Sequence, residues 1–229
     1  MRRLLLVLLI LAVGVGADFA SARVFESKVT TALERKYQLG DRPVVQVRDF
    51  PFLPRLLAGR LSTVDLAAND ARAQGVTLDS VEVHLHGVRV PRAVLFGGHG
   101  EVRVDRADGQ VALSQEQVNR LLGDRLQGGT VAIDPRGVRV EVRREVLGRQ
   151  VDAVVAGRLV ARTGRLAFQP RSIEVGGVRD QALEASLLPR FSFDVPLPPL
   201  PVDIEVQRVD TETGQIVLAG RAAGIAVPA

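Results

Sequence analysis

His84 and His86 stand two positions apart in an alternating segment, so their side chains share one strand face at a spacing that chelates metal ions. The other face is Val81, Val83 and Leu85, and no cysteine or carboxylate cluster adjoins the histidines to complete a ligand set. Neither a metal nor any other cofactor is expected. Asp49, Asp65, Asp70 and Asp79 would suit acid and base work on a glycosidic bond if they converged in space, and otherwise read as solvated or capping residues. The chain has no Gly-x-Ser-x-Gly elbow and no cysteine for acyl transfer. Gly97-Gly98-His99-Gly100 lacks the lysine and the spacing of a phosphate-cradling loop and reads as a flexible turn. The expectation is a protein that is not an enzyme.

The surplus is apolar. Residues 50–59 carry Phe50, Phe52, Leu53, Leu56 and Leu57 between prolines that exclude a central strand. Such a segment either plugs the core or lines a cavity or membrane-facing edge. A second run holds Phe191, Phe193, Leu197 and Leu200, and its prolines keep it extended. Together the two runs would line the mouth of an apolar cavity between sheet and helices, and ordinary core packing accounts for them equally well.

Of 229 residues, 46% are hydrophobic and 24% charged, the balance of a folding chain. Aromatics are 4% and tryptophan is absent, so aliphatic side chains build the core. The net charge of +4 comes from an arginine-heavy set in which Lys28 and Lys36 are the only lysines. Arg103, Arg139 and Arg143 alternate with valine near Asp105 and Glu141, which marks a mixed, solvated sheet face rather than a nucleic-acid surface. Without cysteine there are no disulfides and no thiolate metal sites.

Arg2 and Arg3 precede an uncharged apolar run over residues 4–17, the pattern of an export signal. At ~1.5 Å per residue the run covers roughly 20 Å as a helix, short of the ~30 Å hydrocarbon core. Ala20-Ser21-Ala22 offers a cleavage site, yet the helical pattern continues through it. Residues 1–22 are thus an export signal or N-terminal membrane anchor, cleaved or retained. Residues 23–229 are expected to form a single α+β domain, extracytoplasmic and membrane-associated.

Within 24–39, Val24, Phe25, Val29, Ala32, Leu33 and Leu39 form an amphipathic helical stripe that Gly40 and Pro43 end. Val45 and Val47 begin a strand. From 61 to 113 the chain alternates at period two, with a parity switch at Gly87 that predicts a β-bulge and a tight turn predicted at Asp108-Gly109. Ser114 and Gln117 predict a capping box opening a helix with Val118, Leu121, Leu122 and Leu126 on its apolar face. Strands follow at 131–133, 138–142, 151–160 and 166–175, the first two joined by Asp134-Pro135-Arg136-Gly137. A short helix at 180–188 and a last strand pair joined at Glu212-Thr213-Gly214 complete an α+β layer architecture.

This order resembles the LmeA-like phospholipid-binding family of actinobacterial envelope proteins, formerly a domain of unknown function. The carrying features are the apolar leader running into Asp18, the amphipathic helix, the Phe50-Pro51-Phe52-Leu53 box with Leu56-Leu57-Ala58-Gly59 behind it, and the alternating strand over 81–90. The resemblance implies a long curved antiparallel β-sheet wrapped around the N-terminal amphipathic helix, like half of a tubular lipid-binding (BPI-like) module around an acyl-chain tunnel. It implies a non-catalytic phospholipid-binding or lipid-carrier protein of the periplasm or cell envelope, supporting lipoglycan (lipomannan and lipoarabinomannan) elongation. Its partners would be phospholipid and the membrane surface. The candidate lining is Phe25, Val29 and Leu33 from the helix, Phe50, Phe52, Leu53, Leu56 and Leu57 from the box, Leu121 and Leu122, and Phe191, Phe193, Leu197 and Leu200. The rival readings are a membrane-tethered scaffold for envelope assembly without a lipid cavity, and an envelope hydrolase using dispersed carboxylates.

Overall fold

The computed structural model describes residues 2–37, 41–73, 76–126, 129–146, 149–162, 165–179, 184–185, 188–196 and 204–228. The leader and the amphipathic stripe form one continuous helix, α1 (Arg2–Tyr37). It is followed by β1 (Val44–Val47), α2 (Phe52–Leu57), β2 (Arg60–Ala73), β3 (Val76–Arg89), α3 (Arg92–Leu95), β4 (Glu101–Ser114) and α4 (Gln115–Leu126). Then come β5 (Thr130–Asp134), β6 (Gly137–Val146), β7 (Arg149–Arg162), β8 (Arg165–Val175), a 3-10 turn (Leu188–Phe191), β9 (Phe193–Pro196), β10 (Glu205–Glu212) and β11 (Gln215–Pro228). Among the described residues, no helix is long and apolar enough to cross a membrane.

The architecture is α+β and mostly antiparallel, and the strands form two sheets rather than one. One has the order β1-β2-β3-β4-β11-β10 and the other β5-β6-β7-β8-β9. The chain divides into two compact units, and β2, β3, β4 and β11 supply residues to both.

The first unit comprises 1–71, 81–109 and 222–229. Its core is Val45, Phe52, Leu61, Val64, Val88, Val90 and Val104, the inward residues of the alternating strands plus one ring from α2. Phe25, Val29 and Leu33 of the expected stripe pack against it at helical spacing, joined by Ala22, while Val24, 58% exposed, and Ala32 face solvent. Gly87 takes φ +66°, left-handed backbone that favours glycine, at the position where the facing of the strand switches.

The expected turn at Asp108-Gly109 is absent, since β4 runs straight through it. The glycine serves close approach instead: a Cβ at Gly109 would lie 3.1 Å from the Glu82 carbonyl oxygen of β3. Asp108 pairs with Arg106 at 3.0 Å and lies 3.6 Å from His86 Nε2. The reversal between β3 and β4 falls at α3 and the glycines after it.

The second unit, 72–80 and 110–221, is built on the hairpins expected from the alternation. Val131, Ile133, Val138, Val140, Val155, Phe168 and Ile173 point inward, and Asp134 faces Gly137 across the tight turn. Gly157 lies at a register shift between β7 and β8, where a Cβ would come within 2.7 Å of the buried Phe168 ring. Ser114 caps α4 through its Oγ, which accepts from the Gln117 N–H at 3.5 Å, and its own N–H donates to Asp79 Oδ2 at 2.5 Å.

Leu121 does not join the apolar face of α4. Gln115 and Asn119 accept from the Ile133 and Val131 N–H groups, at 2.8 and 2.6 Å, which turns the 115-118-119-122 face onto β5. Leu122 therefore packs on the core and Leu121 is 48% exposed. The expected helix at 180–188 lies largely outside the described residues, as does Gly40.

Candidate functional site

The proline box folds into the short helix α2 because Pro54 is its third residue, where a backbone N–H has no intrahelical partner to lose. Pro51 occupies the N-cap and offers no side-chain acceptor. The acceptor arrives from α1. Asp18, 6% exposed, takes the Phe52 N–H on Oδ2 and the Leu53 N–H on Oδ1, both at 2.7 Å. One carboxylate thus satisfies two first-turn donors and sits at the positive end of the helix. Glu26, two turns further along α1, accepts from the Val47 N–H of β1 at 2.9 Å. A pair of acidic side chains therefore fastens α1 to the box and to the sheet edge.

Aromatic rings complete the junction. Phe25 meets Phe52 with centroids 5.5 Å apart at 52°, inside the core, and Phe19 meets Phe50 at 6.0 Å and 31°. Phe52 is 1% exposed, whereas Phe19 and Phe50 are 60% and 59% exposed. The box divides residue by residue: Phe52 plugs the core, while Phe50 and Leu57 face outward.

Behind α2, Gly59 accepts from the Val90 N–H at 2.9 Å and takes φ +71°, and a Cβ there would lie 2.7 Å from the Val90 carbonyl oxygen. Only glycine fits this approach. It sets the start of β2 against the end of β3 and opens a cleft of about 480 Å³ edged by Arg60, Arg89, Arg92, Arg103 and Glu101.

Three of the four candidate carboxylates, Asp49, Asp65 and Asp79, bond partners of their own. Asp49 accepts from the Ser62 N–H at 2.6 Å and pairs with Arg55 at 3.2 Å, and Asp79 holds the Ser114 N–H. Asp70 is exposed at φ 49°. Asp65 lies 2.5 Å from Arg48 Nε and 2.7 Å from His84 Nδ1. Burial acts to raise its carboxyl, but the hydrogen bonds and charges of His84 and Arg48 outweigh it and hold the group below its ordinary value of 3.8. A depressed carboxyl contributes stability that is present above the ordinary value and lost as pH falls through the folded one. Urea midpoints measured down to acid pH should therefore fall less steeply for Asp65→Asn than for the natural chain below about pH 4. Equal slopes would remove Asp65 from the acid sensitivity.

Of the predicted lining, Phe25, Val29, Leu33, Leu53 and Leu56 are partly buried against the core of the first unit, with Phe52 inside it. Leu122 and Phe191 pack on the core of the second unit. Phe193 enters β9 opposite Phe168, and Leu197 and Leu200 lie outside the described residues.

A family model described as LmeA-like phospholipid-binding matches residues 16–221. The chain belongs to this family. Comparison with curated proteins and with solved structures finds no match. The LmeA-like match takes in Asp18, the whole of α2, and both sheets except the end of β11. Two features of this LmeA-like chain escape a reading by local pattern. Asp18 extends the 22-25-29-33 stripe by one turn, and a lone carboxylate on an apolar stripe is the available signal for a buried partner. Arg60 and Arg92 belong to separate segments, brought together by the contact of Gly59 with Val90.

Proposed function

We propose that the chain is a non-catalytic phospholipid binder of the cell envelope that holds acyl chains against the apolar surface where α1 meets α2. The observation that carries this reading is the Phe19–Phe50 ring pair, about three-fifths exposed on both sides, with the exposed Val15 one helical turn before Phe19. Clustered large apolar side chains left in water mark faces that meet lipid or another apolar partner. Membership of a phospholipid-binding family supports lipid as that partner. Acyl chains would be retained by burial, at ~0.8 kcal/mol per CH₂.

The arginine-led apolar leader supports export, and the bonds of Asp18 support retention of the leader as an anchor, because cleavage after Ala22 would discard them. Periplasmic residence, an arrangement like half of a tubular lipid-binding module and a contribution to lipoglycan elongation belong to the same reading. Extraction of the purified full chain with organic solvent, followed by mass spectrometry, should recover phospholipid. An empty protein that also fails to bind liposomes would overturn the reading.

A further inference from the structure

The cleft beside Gly59 is lined by four arginines, Arg60, Arg89, Arg92 and Arg103, and by one acidic residue, Glu101. Two of them are neutralised locally: Arg89 reaches Asp105 at 2.8 Å and Arg103 reaches Glu101 at 3.0 Å. The other two are not. Among the described residues Arg60 has no acidic partner, and Arg92 uses its Nε on the Leu57 carbonyl at 3.2 Å, leaving its terminal nitrogens without a carboxylate. Two arginines on one cleft without counter-charge suit an anion with several acceptor oxygens, and about 480 Å³ admits a group much larger than a carboxylate.

Exposed apolar side chains flank Arg92. Leu57, whose carbonyl holds Arg92, is 56% exposed, and Phe96, whose N–H bonds the Arg92 carbonyl at 3.3 Å, is 81% exposed. Basic groups beside exposed apolar side chains engage headgroup and acyl boundary together. We propose that this cleft is a phosphate site, filled by the phosphodiester of an anionic phospholipid, with Arg60 and Arg92 on the phosphate and Leu57 and Phe96 entering the interface beside it. The inference rests on the phospholipid reading of the chain and adds to it the headgroup chemistry and the residues that meet it.

The test compares the natural full-length chain with Arg60→Gln and with the Arg60→Gln, Arg92→Gln double variant. Both arginines are exposed, and Arg60→Gln breaks no bond seen among the described residues, so folding is preserved and a circular dichroism melt checks it. Co-sedimentation with phosphatidylglycerol vesicles should fall about fivefold for the single variant and about 25-fold for the double, from ~1 kcal/mol per basic side chain at an anionic surface. Phosphatidylcholine vesicles should bind all three proteins weakly and alike. Titration with inorganic phosphate distinguishes the sources: phosphate binding that is lost in the variants, without vesicle binding, keeps the site and assigns it to soluble phosphate. Variants that match the natural chain on phosphatidylglycerol and on phosphate overturn the proposal. Lipid recovered from the double variant by extraction separates this failure from that of the acyl-binding reading, because acyl chains should be retained at natural levels when only the headgroup contacts are removed.

Discussion

Replacing Asp18 with alanine should lower the stability of the first unit by about 3–5 kcal/mol, from the loss of two charge-assisted bonds and the stranding of two backbone donors beside the core. The argument is geometric. Phe52 and Leu53 open a helix whose N-cap is a proline, and both of their N–H groups point at a single carboxylate 2.7 Å away. Phe52 is the ring at the centre of the core, so slackening the first turn of α2 also loosens the packing of Val45, Leu61 and Val90 around it. Urea denaturation of the full chain measures the loss. Asp18→Asn, which keeps one acceptor oxygen, should lose roughly half as much, a graded response that a simple cavity would not give. A chain beginning at residue 23 should show a deficit at least as large as the alanine variant. If that truncated chain is as stable as the full one, Asp18 is dispensable and the case for a retained leader falls with it.

The same cap shows where reading the sequence stops. The hairpins of β5 to β8, the serine cap of α4 and the helical stripe of α1 follow from spacings of a few residues, and local spacing is what alternation and capping rules register. The partners of Asp18 lie 34 and 35 positions away, and Gly59 meets Val90 across β2 and β3. Such contacts exist only once the sheet has formed. Gly109 illustrates the converse error: Asp-Gly is a turn signal locally, but in β4 the missing side chain makes room for the backbone of β3. Leu121 fails for a third reason, since backbone hydrogen bonds from β5 to two side-chain amides outrank one leucine in setting the face of α4. The box at 50–57 was legible as apolar and proline-broken, while its helix was not, because the acceptor that stabilises its first turn comes from another element.

Leu56→Asp should abolish lipid uptake, with lipid recovered from the purified protein falling more than tenfold, since a carboxylate among partly buried apolar side chains opposes acyl burial that contributes ~0.8 kcal/mol per CH₂. Leu56 packs against the core beside Leu53 and Phe25, so the substitution also destabilises the fold. Phe50→Ser separates the two effects. Phe50 is 59% exposed, contacts Phe19 and supplies little to the core, so its variant should melt within a few degrees of the natural chain. A lipid binder using the α1–α2 surface loses bound phospholipid in both variants. A membrane-tethered scaffold with a filled core loses stability in Leu56→Asp and nothing measurable in Phe50→Ser. Lipid content by mass spectrometry, set against the melting temperature of each protein, decides between them: full lipid occupancy in a folded Phe50→Ser protein would sink the acyl-binding surface proposed here, whatever Leu56→Asp does.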